Sequence, residues 1–181
     1  MCSIEGGRIP RGRYVCLYDG SGAVELLNVA RTVSSAPGRI VFEPLEGSGG
    51  FALRIGATDP ADYVRNIRVI MPGFEDSYER QVFNPSFLER WRAFRVFRFM
   101  DWMATNGSAV SGWDDRPKGD DAVWTVKGVP LEVMIELCNR TGIDPWFCMP
   151  HLADDDYVRR FARQAAEGLD PSLKAYVEYS N

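Results

Sequence analysis

Short runs of alternating hydrophobic and polar residues fill the first 70 positions of the chain, and this period of two predicts β-strands. Turn residues separate the runs, as in the Gly-rich segment at 47–50 and the turn at 36–38, into which Thr32 and Val33 are expected to lead. Strands at this close spacing are typical of a small antiparallel sandwich. The strand candidates are residues 13–18, 23–28, 39–44, 51–55 and 66–70.

Beyond residue 73 the pattern changes to strands that alternate with amphipathic helices, which is typical of parallel α/β units. A helix is predicted to begin at Asn84, an N-cap residue that is followed by proline at the first helical position. A second helix begins near Pro130 and ends at Gly142. A third opens with the aspartates at 154–156, which suit the positive end of the helix dipole. The accompanying strands are predicted at residues 95–100, 145–149 and 173–179.

Two architectures fit this order of elements. If the strand at 66–70 opens the second part, the order β-α-β-α-β-α-β matches the first half of a (β/α)8 barrel, a TIM-barrel-like arrangement. The alternative is a small open sheet of four parallel strands, and periodicity leaves both open. We therefore predict an α/β chain, α+β overall, with an antiparallel, sandwich-like N-terminal domain at 1–64 and a parallel half-barrel at 65–181.

Composition narrows the class of protein. Hydrophobic residues make up 45% of the 181 positions and charged residues 25%, values that are typical of a soluble globular protein rather than of a disordered or fibrous one. The net charge of −4 gives no basic excess, which argues against a nucleic-acid partner. No apolar run is long enough to cross a bilayer, and the first residues lack the pattern of a signal peptide, so no membrane partner is predicted.

The cysteines Cys2, Cys16, Cys138 and Cys148 form no C-x-x-C pair, and the chain has a single histidine. This combination argues against a structural zinc site. Cys138 lies on a predicted helix face and Cys148 in an apolar strand, so both are predicted to be buried free thiols. Cys2 and Cys16 could pair in an oxidising compartment. No phosphate loop or dinucleotide-binding motif occurs, and neither a metal nor a cofactor is expected.

Functional side chains in α/β folds gather at the carboxyl ends of the parallel strands. Arg98 lies inside an apolar strand, where its charge needs a partner. It either reaches a substrate or forms a structural ion pair, with Asp101 or Glu178 as candidate partners. Glu178 is itself a carboxylate within a strand and is expected to be either paired or functional.

Imidazole and indole side chains supply further candidates. His151 follows a strand and could act as a general base or hydrogen-bond a substrate, although a lone histidine more often has a structural role. Trp102, Trp113 and Trp124 lie in or beside the long polar segment at 101–128. These tryptophans could stack on sugar rings, or they could pack across the end of the sheet.

Three segments of the second part resemble known proteins: residues 98–108, 144–157 and 176–181. They resemble a group of large uncharacterised bacterial secreted proteins that are often labelled cellulose-binding. The second part is also similar to the N-terminal half of a retaining glycoside hydrolase barrel, in the clan that includes cellulases and β-glycosidases. The resemblance implies a secreted protein whose partner is a polysaccharide or an oligosaccharide.

The functional residues of that clan carry over position by position. The clan places an arginine near the nucleophile on its second strand, which Arg98 matches, and a sugar-contacting residue at the end of its third strand, where His151 lies. The fourth strand of the clan ends in Asn-Glu, and Asn181 matches the asparagine, which binds the sugar 2-hydroxyl. The acid/base glutamate of the clan would be the residue after Asn181. The nucleophile of the clan would lie on a seventh strand. The resemblance thus implies a fragment that is inactive alone. Its expected substrate contacts are Arg98, Asp101, Trp102, His151 and Asn181.

Two further hypotheses come from other classes of function. A non-catalytic carbohydrate-binding or assembly module would pair its open strand edges with a second copy, or with the missing half of a barrel. A small α/β enzyme unrelated to the glycoside hydrolases would use Glu178 and His151 for its chemistry.

Overall fold

The strands and helices of the chain belong to two units, Met1–Val82 and Phe83–Asn181. The computed structural model describes residues 2–3, 9–47 and 49–181. Within these ranges, no helix has both the length and the apolar composition that crossing a membrane requires.

The first unit is built from antiparallel strands, as the alternating pattern predicts. The strands are β1 (Cys2–Ser3), β2 (Tyr14–Asp19), β3 (Gly22–Leu27), β4 (Val29–Ala36), β5 (Arg39–Pro44), β6 (Gly50–Thr58) and β7 (Arg65–Ile70). One sheet has the order β1-β6-β3 and the other has the order β4-β5-β2-β7. The predicted strands do not include β4, which contains Thr32 and Val33 and pairs with β5. β4 ends at Ala36 and leads into a turn at residues 37–38, as predicted.

Three aromatic rings from the two sheets meet in the core of the first unit. Tyr14 and Phe42 come from the four-stranded sheet and Phe51 comes from β6, with ring centroids 5.0 to 5.6 Å apart. Cys16 is buried in the same core as a free thiol, and the side chain of Cys2 lies outside the described residues. The two sheets therefore share one apolar interior, as the sheets of a sandwich do.

The last strand of this unit corrects a prediction. Residues 66–70 are predicted to open the parallel sheet, but β7 pairs antiparallel with β2, with Val15 opposite Ile70. Ile70 is buried beside Val15 and Val41, so β7 finds its apolar contacts within the first unit. Periodicity predicts a strand and its buried face but does not name the partner strand. The parallel sheet therefore begins one strand later than predicted, and β7 belongs to the unit that ends at Val82.

The second unit alternates helices with parallel strands, which confirms the predicted change of pattern. Its elements are α1 (Pro85–Trp91), β8 (Val96–Arg98), α2 (Leu131–Thr141), β9 (Asp144–Met149), α3 (Asp155–Gly168) and β10 (Tyr176–Tyr179), with a short 3-10 helix at Trp113–Asp115. The strands lie side by side in chain order, β8-β9-β10. The sheet is thus a small open one of three strands, and no barrel closes within the described part of the chain.

The helices begin and end where the capping signals predict. Asn84 Oδ1 accepts a hydrogen bond from the Ser86 backbone N–H at 2.8 Å, and Asp154 Oδ1 accepts one from the Tyr157 backbone N–H at 2.7 Å. Gly142 closes α2 with a φ of 67°, a left-handed conformation that glycine adopts without a steric cost. The acidic start of α3 is therefore a helix cap, as predicted.

One face of the parallel sheet carries the core of the second unit. Phe147 of β9 is completely buried, and its ring centroid lies 5.0 Å from that of Phe161 on α3 and 5.8 Å from that of Phe99. Side chains alternate along a strand, so Trp146 and Cys148 lie on the opposite face from Phe147. The face of the sheet that carries Phe147 is therefore covered by α3, whereas the other face carries Trp146 and Cys148.

We expect the Phe147→Ala substitution to lower the free energy of unfolding by about 3–5 kcal/mol, because it leaves a cavity between the sheet and α3. Urea denaturation followed by tryptophan fluorescence measures the change. Val126→Ala is the control, since Val126 is 76% exposed, and it should change stability by less than about 0.5 kcal/mol. Equal effects of the two substitutions would contradict the placement of Phe147 in the core.

Candidate functional site

Three strands bring polar and aromatic side chains together on the face of the sheet opposite Phe147. In the register of the sheet, Arg98 on β8 and Tyr176 on β10 are both Cα partners of Trp146 on β9. Two residues further along the strands, Cys148 is the Cα partner of Glu178. Because residues in register share a face, these side chains form one surface. We call this surface, made of Arg98, Trp146, Cys148, Tyr176 and Glu178, the Arg98 face.

Arg98 and Glu178 form an ion pair across the width of the sheet. The Arg98 Nε and Nη2 atoms donate to Glu178 Oε1 at 3.0 and 2.5 Å, and Nη2 also donates to Asn181 Oδ1 at 2.6 Å. Of the two candidate partners, Glu178 is therefore the one that Arg98 binds directly, whereas Asp101 adds only charge attraction at longer range. The charge that the apolar strand carries is compensated by a residue on the other edge strand.

A thiol completes the surroundings of this carboxylate. Cys148 Sγ donates to Glu178 Oε1 at 2.8 Å. Burial, together with the neighbouring carboxylate, raises the pKa of Cys148 to about 12, so the thiol keeps its proton and remains a donor at neutral pH. Burial also raises the pKa of Cys138 to about 12, and both residues are buried free thiols, as predicted.

Glu178 is held in its charged form. The hydrogen bond from Cys148 is the largest cause that lowers the pKa of Glu178 below its ordinary value, followed by the hydrogen bonds and charge of Arg98, with a smaller part from Trp146. Desolvation opposes these effects without cancelling them. A carboxylate with a lowered pKa accepts hydrogen bonds but is a poor proton donor at neutral pH. Glu178 is therefore suited to accept from hydroxyl groups and unsuited to act as a general acid.

Two exposed amides extend the network beyond the strands. Asn181 Nδ2 donates to Asn106 Oδ1 at 2.8 Å, and Asn106 Nδ2 lies 3.6 Å from Met100 Sδ. Asn181 follows β10 and Asn106 lies in the segment after β8, so the network joins the carboxyl ends of the two edge strands. An amide offers donors and an acceptor at once, which is what recognition of a hydroxyl group requires.

Other residues predicted for the site lie outside this network. Asp101 is exposed in a turn after β8, and Trp102 is half-buried, with its ring centroid 5.6 Å from that of Phe99. The side chain of His151 is exposed, and its backbone carbonyl accepts a hydrogen bond from the Tyr179 hydroxyl at 3.0 Å. In the part of the chain that the structure describes, the side chains of Asp101, Trp102 and His151 make no hydrogen bond to the Arg98 face.

The other two tryptophans of the long segment differ from each other. Trp113 packs against Tyr157 of α3 with ring centroids 5.6 Å apart. Of the two roles considered for this tryptophan, the contact favours packing within the protein over stacking on a sugar ring. Trp124 is exposed, and its indole N–H donates to the backbone carbonyl of Lys118 at 3.2 Å. The segment at 101–128 also contributes an apolar side chain to the core of the second unit, because Val110 is buried there.

Sequence reasoning does not single out Trp146, Cys148 or Asn106 as members of the network. A signal for the first two exists, because both alternate with the buried Phe147 along β9 and so share the face of Arg98. Asn106 has no comparable signal. Its position depends on the path of the segment after β8, which local patterns do not predict.

Comparisons with known proteins identify no relative: no family model matches the chain, and no curated protein or solved structure matches it. Across residues 2–3, 9–47 and 49–181, no group of three or more His, Cys, Asp or Glu side chains is placed to hold a metal ion. The geometry and charge of the Arg98 face therefore carry the functional proposal.

The lowered pKa of Glu178 predicts how stability depends on pH. A carboxyl group whose folded pKa lies below its unfolded value stabilises the fold above the unfolded pKa, and this contribution is lost as the pH falls through the folded pKa. We expect Glu178→Gln to be less stable than the unsubstituted chain at pH 7, with a difference that shrinks once the pH falls below the ordinary value of 4.5.

Thermal unfolding between pH 7 and pH 3 measures this difference. Glu167→Gln, at an exposed position on α3, is the control for the loss of one negative charge. A difference between Glu178→Gln and the unsubstituted chain that persists unchanged at pH 3 would contradict the prediction.

Proposed function

We propose that the Arg98 face recognises the hydroxyl groups of a carbohydrate, as part of a glycoside hydrolase-like unit. The observation that carries this proposal is the ion pair of Arg98 and Glu178, which is positioned by two strands and adjoins the exposed amides of Asn106 and Asn181. Guanidinium donors, a carboxylate acceptor and amides together offer a hydroxyl group both kinds of hydrogen-bond partner.

The position of this group on the sheet supports the same proposal. Functional side chains gather at the carboxyl ends of parallel strands. Arg98 is the last residue of β8, and Asn181 follows β10. The resemblance of the second part to a glycoside hydrolase barrel implies substrate contacts at the same two residues. It assigns Arg98 to the second parallel strand and Asn181 to the end of the fourth, whereas β8 and β10 are the first and third strands of the parallel sheet.

Binding without hydrolysis is the activity that we propose for this chain. Retaining hydrolysis uses two carboxyl groups about 5–5.5 Å apart, one of which has to donate a proton. The carboxylate of the network, Glu178, has a lowered pKa and accepts hydrogen bonds from Arg98 and Cys148. It therefore lacks the proton that a general acid needs.

We expect the unsubstituted chain to bind at least one glycan on an array, and Arg98→Met to weaken that binding at least about tenfold. The substitution removes charge-assisted donors and leaves Glu178 without its partner. Titration calorimetry with the glycan found on the array measures the change. The absence of binding to every glycan by the unsubstituted chain would refute the proposal.

Arg54→Met is the matched control for this experiment. Arg54 forms an exposed ion pair with Glu25 in the first unit, so its loss removes the same charge away from the Arg98 face. Affinity that falls equally in both variants would indicate a general effect of charge and not recognition by Arg98.

A second candidate function is assembly with another copy of the chain, which the outer edge of β10 favours. β10 is an edge strand, and Val177 and Tyr179 are 61% and 66% exposed. An apolar groove of about 270 Å³ lies between α3 and β10, and Val177 lines it together with Val158, Ala162 and Ala166 among others. An open strand edge beside an apolar groove is suited to pairing with another strand.

If this edge is an interface, the unsubstituted chain forms dimers and Val177→Lys keeps it monomeric, because the charge would be buried without a partner. Light scattering after size-exclusion chromatography measures the molar mass. Val126→Lys, at an exposed position that does not line the groove, should leave the dimer intact. A monomeric unsubstituted chain would contradict assembly through β10.

A further inference from the structure

Two neighbouring aromatic rings lie exposed on the Arg98 face. Trp146 on β9 and Tyr176 on β10 are Cα partners, and they are 36% and 38% exposed. Elsewhere in this unit aromatic rings pack in pairs, as Phe147 and Phe161 do. Within the described residues no ring contact joins Trp146 to Tyr176, and the exposed part of each side chain can contact a ligand.

A cation lies over each of these rings. The Arg98 Cζ atom is 5.5 Å from the centroid of the Trp146 ring, and Lys174 Nζ is 5.0 Å from the centroid of the Tyr176 ring. A cation over a ring face is attracted by the quadrupole of the ring, which restricts the orientation of both partners. The strands fix the spacing of the backbone as well, so the two rings are pre-organised and lose little freedom when a ligand binds.

Carboxylates lie near both residues that supply the cations. Arg98 is paired with Glu178, and the Asp144 carboxylate accepts a hydrogen bond from the backbone N–H of Lys174 at 2.8 Å. Asp101 adds a further negative charge near Arg98. An anionic ligand finds no excess of positive charge that would offset the loss of its hydration. A neutral ligand that carries hydroxyl groups suits this surface better.

We propose that Trp146 and Tyr176 stack against the rings of a neutral oligosaccharide that lies across β9 and β10. Adjacent strands are about 4.8 Å apart, so the row from Arg98 through Trp146 to Tyr176 covers about 10 Å, more than one sugar ring requires. The apolar C–H faces of the sugar pack on the aromatic rings, while its hydroxyl groups reach Arg98 and Glu178. The inference rests on the proposed function and adds the class of ligand and the residues that select it.

Titration calorimetry of the full chain tests the inference. The probes are neutral β-linked gluco-, manno- and xylo-oligosaccharides of one to six rings, with oligogalacturonides of the same lengths as anionic probes. We expect one neutral series to bind, with an affinity that rises from one ring to several. Trp146→Ala should weaken this binding about tenfold, whereas Trp146→Phe, which keeps a ring, should weaken it less than about threefold. Tyr176→Ala should weaken the binding of the longer members more than that of a single sugar.

Tyr63→Ala is the matched control. Tyr63 is an exposed tyrosine of the first unit with Arg65 over its ring at 5.7 Å, so it has the same kind of contact away from the Arg98 face. Its loss should leave the affinity unchanged. Thermal unfolding of each variant confirms that the chain is folded.

The outcomes separate this inference from the proposed function. Full affinity in both Trp146→Ala and Tyr176→Ala, with loss of binding in Arg98→Met, overturns the stacking role and leaves carbohydrate recognition standing. Tighter binding of oligogalacturonides than of any neutral series overturns the neutral class. An unsubstituted chain that binds no glycan overturns the proposed function and the inference with it. Should Trp146→Ala fail to fold, Tyr176→Ala decides: full affinity for the longest oligosaccharide overturns the inference, and a loss supports it.

Discussion

The ion pair between Arg98 and Glu178 ties the two edge strands of the parallel sheet together across the central strand. The arginine side chain crosses β9 to reach its partner, and in doing so it lies over the Trp146 ring. The same contact brings the Glu178 carboxylate to the Cys148 thiol. Removing Arg98 would leave the partly buried carboxylate without its charged partner. The register of the three strands and the geometry of the site therefore depend on one another.

An arginine–glutamate pair does not by itself make a site, as the first unit shows. Arg54 and Glu25 are Cα partners on neighbouring antiparallel strands and form an exposed ion pair. Pairs of this kind contribute about 0–1 kcal/mol to stability. The pair on the Arg98 face differs because Cys148 donates to the same carboxylate and Asn181 accepts from the same guanidinium. Both additional partners restrict the geometry of the surface, and the hydrogen bond from Cys148 lowers the pKa of the carboxyl group.

Local signals in the sequence predict most of the elements and part of the site. The caps at Asn84 and Asp154 act within one helical turn, so the residues themselves are sufficient to place the helix starts. Arg98 is predicted from its charge inside an apolar strand and Asn181 from its place at a strand end, and the two lie within hydrogen-bond distance of each other. His151 is predicted by the same reasoning and lies outside the network, because a place at a strand end does not specify the direction of the side chain.

The sequence by itself determined most of the segments that form strands and helices, and that the charge of Arg98 within an apolar strand needs a partner. Periodicity, capping and the cost of burying a charge all act locally, so they can be recognised without the fold. Only the tertiary structure decided that β7 pairs with β2, that Glu178 is the partner of Arg98, and that Trp146 shares their face. These outcomes depend on which strands pair and in which register, and the pairing brings together residues that lie 80 positions apart in the chain, beyond the range of any local pattern.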